Sequence, residues 1–149
     1  MNNDRPSIGS RLAALRIAKG YTIQQAARYA KPPLTATQAQ AIEDGFSTFA
    51  ACKAYAAGMG KWLRMTGVNG HARKLNFDVL VEKTKLDVRT VVHAVQCAMN
   101  PEGAPTSREQ NVRNVIGIET DSPSTICIQS LERVLFYLSP DAAIVISDY

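Results

Sequence analysis

Residues 22–45 read TIQQAARYAKPPLTATQAQAIEDG, and the fold turns on them. Thr22-Ile23-Gln24-Gln25 and Thr35-Ala36-Thr37-Gln38 each match the pattern T-x-x-Q. In that pattern the threonine hydroxyl takes a free amide of the first helical turn, and the glutamine side chain reaches back to the threonine amide. Between the two lies Lys31-Pro32-Pro33. Proline has no amide to donate and pushes the residue before it out of the helical region, so the first helix must stop there. The spacing predicts one helix over Thr22–Ala30, packing through Ala26, Ala27 and Ala30. It predicts another over Thr35–Asp44, with Ala39 and Ile42 inward and Gly45 as its stop.

Working outward, Ser7 to Lys19 reads as a helix with Ile8, Leu12 and Leu15 on one face. Gly20 follows, where a left-handed residue is cheapest. On the other side, Phe46, Phe49, Cys52, Ala56 and Met59 recur at helical spacing, Gly58 and Gly60 loosen the end, and Trp62 and Leu63 close the core. Because Phe46, Phe49, Tyr55 and Trp62 fall at core spacing, a stacking platform for single-stranded nucleic acid is not expected.

The blocks RLAALRIAKGYT, QQAARYA, LTATQAQAIEDG and an apolar helix running to GMGKWL stand in this order. In that order residues 7–64 resemble the phage-repressor or Cro-type helix-turn-helix domain, also called xenobiotic-response-element-like. The resemblance implies a five-helix domain that binds double-stranded DNA. Its second helix would be Thr22–Ala30 and its recognition helix Thr35–Asp44, entering the major groove while the first helix crosses the phosphates. It further implies that Ala36, Thr37, Gln38, Gln40 and Ala41 face the bases, and that Thr22, Gln24, Gln25 and Arg28 meet phosphates. Thr35 opens the recognition helix, and Arg11, Arg16, Lys19 and Lys31 add to the electrostatic attraction. Glutamine can pair with adenine, and threonine can touch a base edge or a thymine methyl. The sequence departs from the family in three ways. Lys31-Pro32-Pro33 lengthens the turn, Ile23 stands where glutamine is common, and Ala36 and Ala41 replace long polar side chains. These departures shift weight from base contacts toward DNA shape.

Charge divides the chain. Residues 1–75 carry eleven Lys and Arg against three Asp and Glu, a net of +8, whereas residues 76–149 carry six against ten, a net of −4. A basic half joined to an acidic half points to a polyanion-binding module with a second module beside it. Residues 66–75, TGVNGHARKL, break the periodicity with two glycines and a basic cluster. The expected organisation is a DNA-binding domain over 1–65, a linker over 66–75, and a dimerisation or partner-binding domain over 76–149.

In the acidic half, Phe77–Leu86 and Asp87–Met99 read as consecutive helices with Asp87 as N-cap. LVEKTKLDVRTVVHAV, residues 80–95, also resembles a helix-turn-helix, more faintly, with Lys85 in place of the usual turn glycine. A second DNA site would then expose Arg89, Thr90 and His93, although the negative charge favours assembly or partner binding. Ser107–Ile116 reads as helix or Val112–Ile118 as strand. Leu131, Val134, Leu135 and Leu138 restore a helical face, and Ala143–Ser147 is β-branched enough for a strand. If both strands form, this half is winged-helix-like. IQSLERVLFYLSPDAAIVIS resembles the closing helix and strand of some repressor-like and antitoxin proteins. The fold class is thus mainly α: the repressor-type domain, then a smaller helical domain with one or a few short strands.

With 149 residues the chain is too short for an α/β barrel, and no apolar run reaches the ~18 residues of a membrane span. Cys52, Cys97 and Cys127 are odd in number and widely spaced, as buried thiols in a reducing compartment would be. No phosphate loop, nucleophile motif or paired histidines appear, so neither an enzyme, a cofactor nor a metal is expected. These features lead to the expectation of a cytoplasmic transcriptional regulator of bacterial, phage or mobile-element type, a homodimer on an inverted repeat. The alternatives are an antitoxin or inhibitor whose residues 76–149 bind a protein partner, and an oligomeric DNA-packaging or replication accessory protein.

Overall fold

A computed structural model describes residues 7–66, 77–99, 126–138 and 142–148. The described residues form seven helices and two short strands. They divide between two compact units: residues up to Leu63 together with Ile146–Tyr149, and residues Arg64–Val145.

In the first unit, α1 spans Ile8–Ala18, capped by Ser7, whose Oγ accepts the Ser10 amide at 3.2 Å. It buries Ile8 and Leu12 completely, while Leu15 is only half-buried. Each such aliphatic side chain withdrawn from water contributes about 1.5–3 kcal/mol. α2 (Ile23–Tyr29) and α3 (Ala36–Glu43) begin at the two expected caps, and α4 (Phe49–Gly58) begins at Thr48. α1 packs on α3 and α4, and α2 packs on the same pair. The core between them comprises Ala26, Ala27, Ala30, Ala39, Ile42, Phe49, Cys52, Tyr55, Ala56 and Met59. The alanines matter because small side chains let helix backbones approach. Gly9 takes this further: a Cβ there would lie 2.5 Å from the Ile42 carbonyl oxygen and 2.7 Å from that of Glu43. Only glycine lets α1 sit this close to the end of α3.

The ends of α1 and α3 share one chemistry. Gly45 has φ +86°, its amide donates to Ile42 O at 3.1 Å, and the Phe46 amide donates to Ala41 O at 2.9 Å. This paired closure satisfies carbonyls that the helix end would leave bare. Gly20 and Tyr21 repeat it for α1, at 3.0 and 3.1 Å.

Among the described residues of the first unit the expected fifth helix is not found. Lys61–Thr66 is strand β1, which pairs antiparallel with β2, Ala143–Asp148. KWLRMT has the alternation of a half-buried strand, and Gly60, at φ +76°, turns the chain out of α4. The described residues of the first unit therefore hold four helices and a strand. The Ser147 hydroxyl donates to the Trp62 carbonyl at 3.4 Å, and Lys61 pairs with Asp148. Leu63 is buried as expected, but Trp62 is 45% exposed and Phe46 is 72% exposed, so neither closes the core.

In the second unit, α5 (Phe77–Thr84), α6 (Val88–Met99) and α7 (Ile128–Leu138) pack on one another. Leu80, Val91, Val92, Val95, Ile128, Leu131, Val134 and Leu135 form the core. Arg133 of α7 donates to the Thr84 carbonyl at 3.2 Å, supplying a partner at the end of α5. Of the expected linker only Thr66 is described, as the last residue of β1. The readings at Ser107–Ile116 and Val112–Ile118 lie outside the described residues, and β2 pairs with β1 rather than within the second half. Cys52 and Cys97 are buried, but Cys127 is exposed. No helix among the described residues is long and apolar enough to cross a membrane.

Candidate nucleic-acid interface

Both capping boxes form completely. Thr22 Oγ1 accepts the Gln25 amide at 3.1 Å and Gln25 Oε1 accepts the Thr22 amide at 2.9 Å. Thr35 and Gln38 repeat this at 3.1 and 2.8 Å. The two boxes fix where α2 and α3 start, and thereby which side chains of their first turns point outward. They also engage the side-chain oxygens of Gln25 and Gln38. A bidentate grip on adenine needs both amide atoms of a glutamine. Gln38, one of the residues expected to face the bases, is a capping residue in the free protein.

The first turn of α2 and the outer side of α3 line one shallow, open surface. Thr22, Ile23 and Gln24 come from α2 and its cap, Ala36, Thr37, Gln40 and Ala41 from α3, and Arg16, Asp44 and Phe46 border them. Seven expected site residues are thus brought together: Arg16, Thr22, Gln24, Ala36, Thr37, Gln40 and Ala41. Gln25, Thr35, Gln38, Arg28, Lys31, Arg11 and Lys19 do not line this surface, although Lys19, Arg28 and Lys31 are exposed elsewhere on the unit. Gln40 Nε2 donates to Asp44 Oδ1 at 3.1 Å, one turn along the helix. Ile23, Asp44 and Phe46 were not among the expected site residues. For Phe46 the available signal was Gly45: the residue after a helix-closing glycine leaves the helix rather than continuing its buried stripe.

Arg16 differs from the free cation that phosphate binding would use. Its Nε and Nη2 donate to Glu43 at 2.6 and 3.1 Å, and its Nη1 donates to the Tyr21 carbonyl at 2.9 Å. Tyr55 Oη donates to the same Glu43 carboxylate at 2.5 Å. The Arg16 and Glu43 side chains are only 16% and 7% exposed. The hydrogen bond to Glu43 pushes the Arg16 pKa above its ordinary value, against the opposing effect of burial. Burial first, and the Glu43 hydrogen bond second, push the Tyr55 phenol above its ordinary range. Arg16 therefore ties α1 to α3 and to the turn before α2, and brings no uncompensated charge to the surface.

In the second unit Asp87 Oδ1 accepts the Thr90 amide at 2.7 Å, the expected cap of α6. That bond, above all, holds the Asp87 carboxyl below its ordinary pKa. Lys85, in the turn, has φ +61°, the conformation for which a glycine is usual. The exposure expected along α6 is found at Arg89 alone of the three residues named. Arg89 is exposed, but Thr90 and His93 are half-buried, and Val91, Val92 and the whole of Ala94–Ala98 are buried. A helix covered on nearly every side is a core helix, with little face left to lay in a DNA groove.

Among the described residues no three His, Cys, Asp or Glu side chains are grouped as a metal ion would require. Comparison with known family models, with curated proteins and with solved structures finds no match.

Proposed function

We propose that the chain is a sequence-selective duplex-DNA-binding protein acting through the α2–α3 surface. It would serve as a transcriptional regulator of bacterial, phage or mobile-element type. One observation carries this reading: Thr22 and Gln24, at the start of α2, share one shallow, open surface with Thr37 and Gln40 of α3. A helix start on the phosphates beside a helix face on the base edges is how a helix-turn-helix docks. The net charge of +8 over residues 1–75 adds the attraction such docking needs.

The second half would supply assembly or a partner surface. The net charge of −4 over residues 76–149 fits a protein contact better than a DNA contact. A homodimer would present two α3 helices to half-sites about 34 Å apart. Repression by covering a promoter is the simplest outcome.

The test is fluorescence anisotropy of the full chain on duplex DNA from the region upstream of its own gene, and on a scrambled duplex, across a salt series. Selective binding that weakens as salt rises supports the reading. Equal binding to both duplexes, or none to either, counts against it. A stoichiometric protein captured by residues 76–149, without DNA binding by the full chain, would favour the antitoxin or inhibitor alternative.

A further inference from the structure

The α2–α3 surface is lined by an apolar group: Ile23, Ala36, Ala41 and Phe46. Helix α3 carries no lysine or arginine. Phe46 is 72% exposed although its backbone is fixed, its amide bonded to Ala41 O at 2.9 Å. The residue in this position of a helix closure ordinarily packs on the side chain three from the helix end. Here that side chain is Ala41, whose single methyl is too small to cover an aromatic ring.

The chemistry of DNA narrows what such a surface can meet. On the major-groove edge of the base pairs the 5-methyl of thymine is the apolar group, and the others are hydrogen-bond donors and acceptors. A bidentate grip on guanine uses arginine or lysine, and one on adenine uses asparagine or glutamine with both amide atoms available. α3 has no cation, Gln38 has its oxygen engaged at 2.8 Å, and Gln40 has its nitrogen engaged with Asp44 at 3.1 Å. An apolar protein helix would answer the four apolar side chains but not the exposed cations Lys19, Arg28 and Lys31 elsewhere on the same unit. A duplex answers both.

Resting on the duplex-DNA reading above, we infer that this surface selects its site through thymine 5-methyl groups. Phe46 is the principal methyl contact, and Ala41 and Ala36 are small enough to let the bases approach. Thr37 fits the same task, because its own methyl can meet a thymine while its hydroxyl reaches an edge. The specificity is then chiefly for positions of thymine rather than for a bidentate guanine or adenine pattern, and Gln40 keeps its oxygen for a single base contact.

The experiment uses the full chain. A short randomised duplex pool is enriched by binding, and the enriched duplex is remade with deoxyuridine replacing thymidine at one position at a time. Each replacement removes one methyl and leaves pairing and phosphates unchanged. The expected result is about a fourfold loss of affinity at each contacted position, with no loss on a scrambled duplex. Phe46→Ala should lose that discrimination at one position or more, and Phe46→Leu should keep most of it. Because Phe46 lies outside the core, neither variant opens a cavity. Enrichment followed by indifference to deoxyuridine everywhere would overturn the methyl reading while the duplex-DNA reading stands. No enrichment would overturn both. Thymine dependence unchanged in Phe46→Ala at every position would overturn the role of Phe46.

Discussion

Glu43 receives Arg16 and Tyr55 on one carboxylate, with Arg16 Nε at 2.6 Å and the Tyr55 hydroxyl at 2.5 Å. The three side chains come from α3, α1 and α4, so one acidic residue ties three of the four helices that shape the α2–α3 surface. Glu43 lies on the last turn of α3, where a carboxylate is unfavourably placed against the helix dipole. Arg16 offsets that cost. The pair thus fixes the angle at which α3 is presented, without lending the surface a charge.

From this arrangement Glu43→Gln should destabilise the first unit by about 3 kcal/mol, because it leaves the largely buried Arg16 cation without its counter-charge. Tyr55→Phe should cost less, about 1.5 kcal/mol, the loss of one hydrogen bond to a charged acceptor. Replacing both charged partners, Arg16→Met with Glu43→Leu, should recover part of the Glu43→Gln loss. The readout is the urea midpoint at unchanged slope. If Glu43→Gln proves no worse than Tyr55→Phe, the pair is not the tie described.

Tyr55 also sets an alkaline limit. Its phenol is pushed upward chiefly by burial, so the fold favours the protonated form. A group whose pKa is raised in the fold contributes stability that is complete below the unfolded value, about 10 for tyrosine, and fades as pH rises beyond it. The wild type should therefore lose stability above about pH 10 more steeply than Tyr55→Phe. The gap between them, clear at neutral pH, should narrow there. Unfolding followed at a series of alkaline pH values checks this, and parallel curves would refute it.

What could be read in advance was local. The two T-x-x-Q boxes, the glycine closures at Gly20 and Gly45, and the cap at Asp87 are each decided within a few residues, and all form. What could not be read depends on partners far along the chain. The alternation in KWLRMT is too short to overrule the helical stripe that runs into it until AIVISD pairs with it, and the Trp62–Ser147 bond spans 85 residues. Arg16 looked like a free cation because Glu43 lies 27 residues away. The need for glycine at position 9 is not legible in the sequence, because its reason is the carbonyls of α3, which only the packed helices bring near. Phe46 fell on the spacing of a buried stripe, but the closure at Gly45 had already ended the helix.

The two glutamines of α3 should separate stability from recognition. Gln38→Ala removes the second half of a capping box and should cost about 0.5–1 kcal/mol of stability, with equal effects on binding to selected and scrambled duplexes. Gln40→Ala removes a side chain on the α2–α3 surface whose bond to Asp44 is exposed and weak. It should leave stability within about 0.5 kcal/mol and lower affinity only for the selected duplex. Unfolding and anisotropy on both variants decide it. Selectivity lost in Gln38→Ala at unchanged stability would reverse the two roles.

The turn between α5 and α6 stores strain that one substitution should release. Lys85 sits at φ +61°, where a side chain with a Cβ meets the backbone carbonyl at a cost of about 1–2 kcal/mol. The turn is held regardless: the Lys85 amide reaches Val81 O at 3.0 Å, Thr84 Oγ1 accepts the Leu86 amide at 3.3 Å, and Asp87 caps α6. Because these bonds use backbone and neighbouring side chains, none needs the lysine itself. Lys85→Gly relieves the steric cost but also loosens the unfolded chain by about 0.5–1 kcal/mol. The balance should be a net stabilisation of about 0.5 kcal/mol. Lys85→Ala, which keeps the Cβ, should gain nothing. If the two variants are equally stable, the lysine side chain rather than the backbone conformation governs this turn.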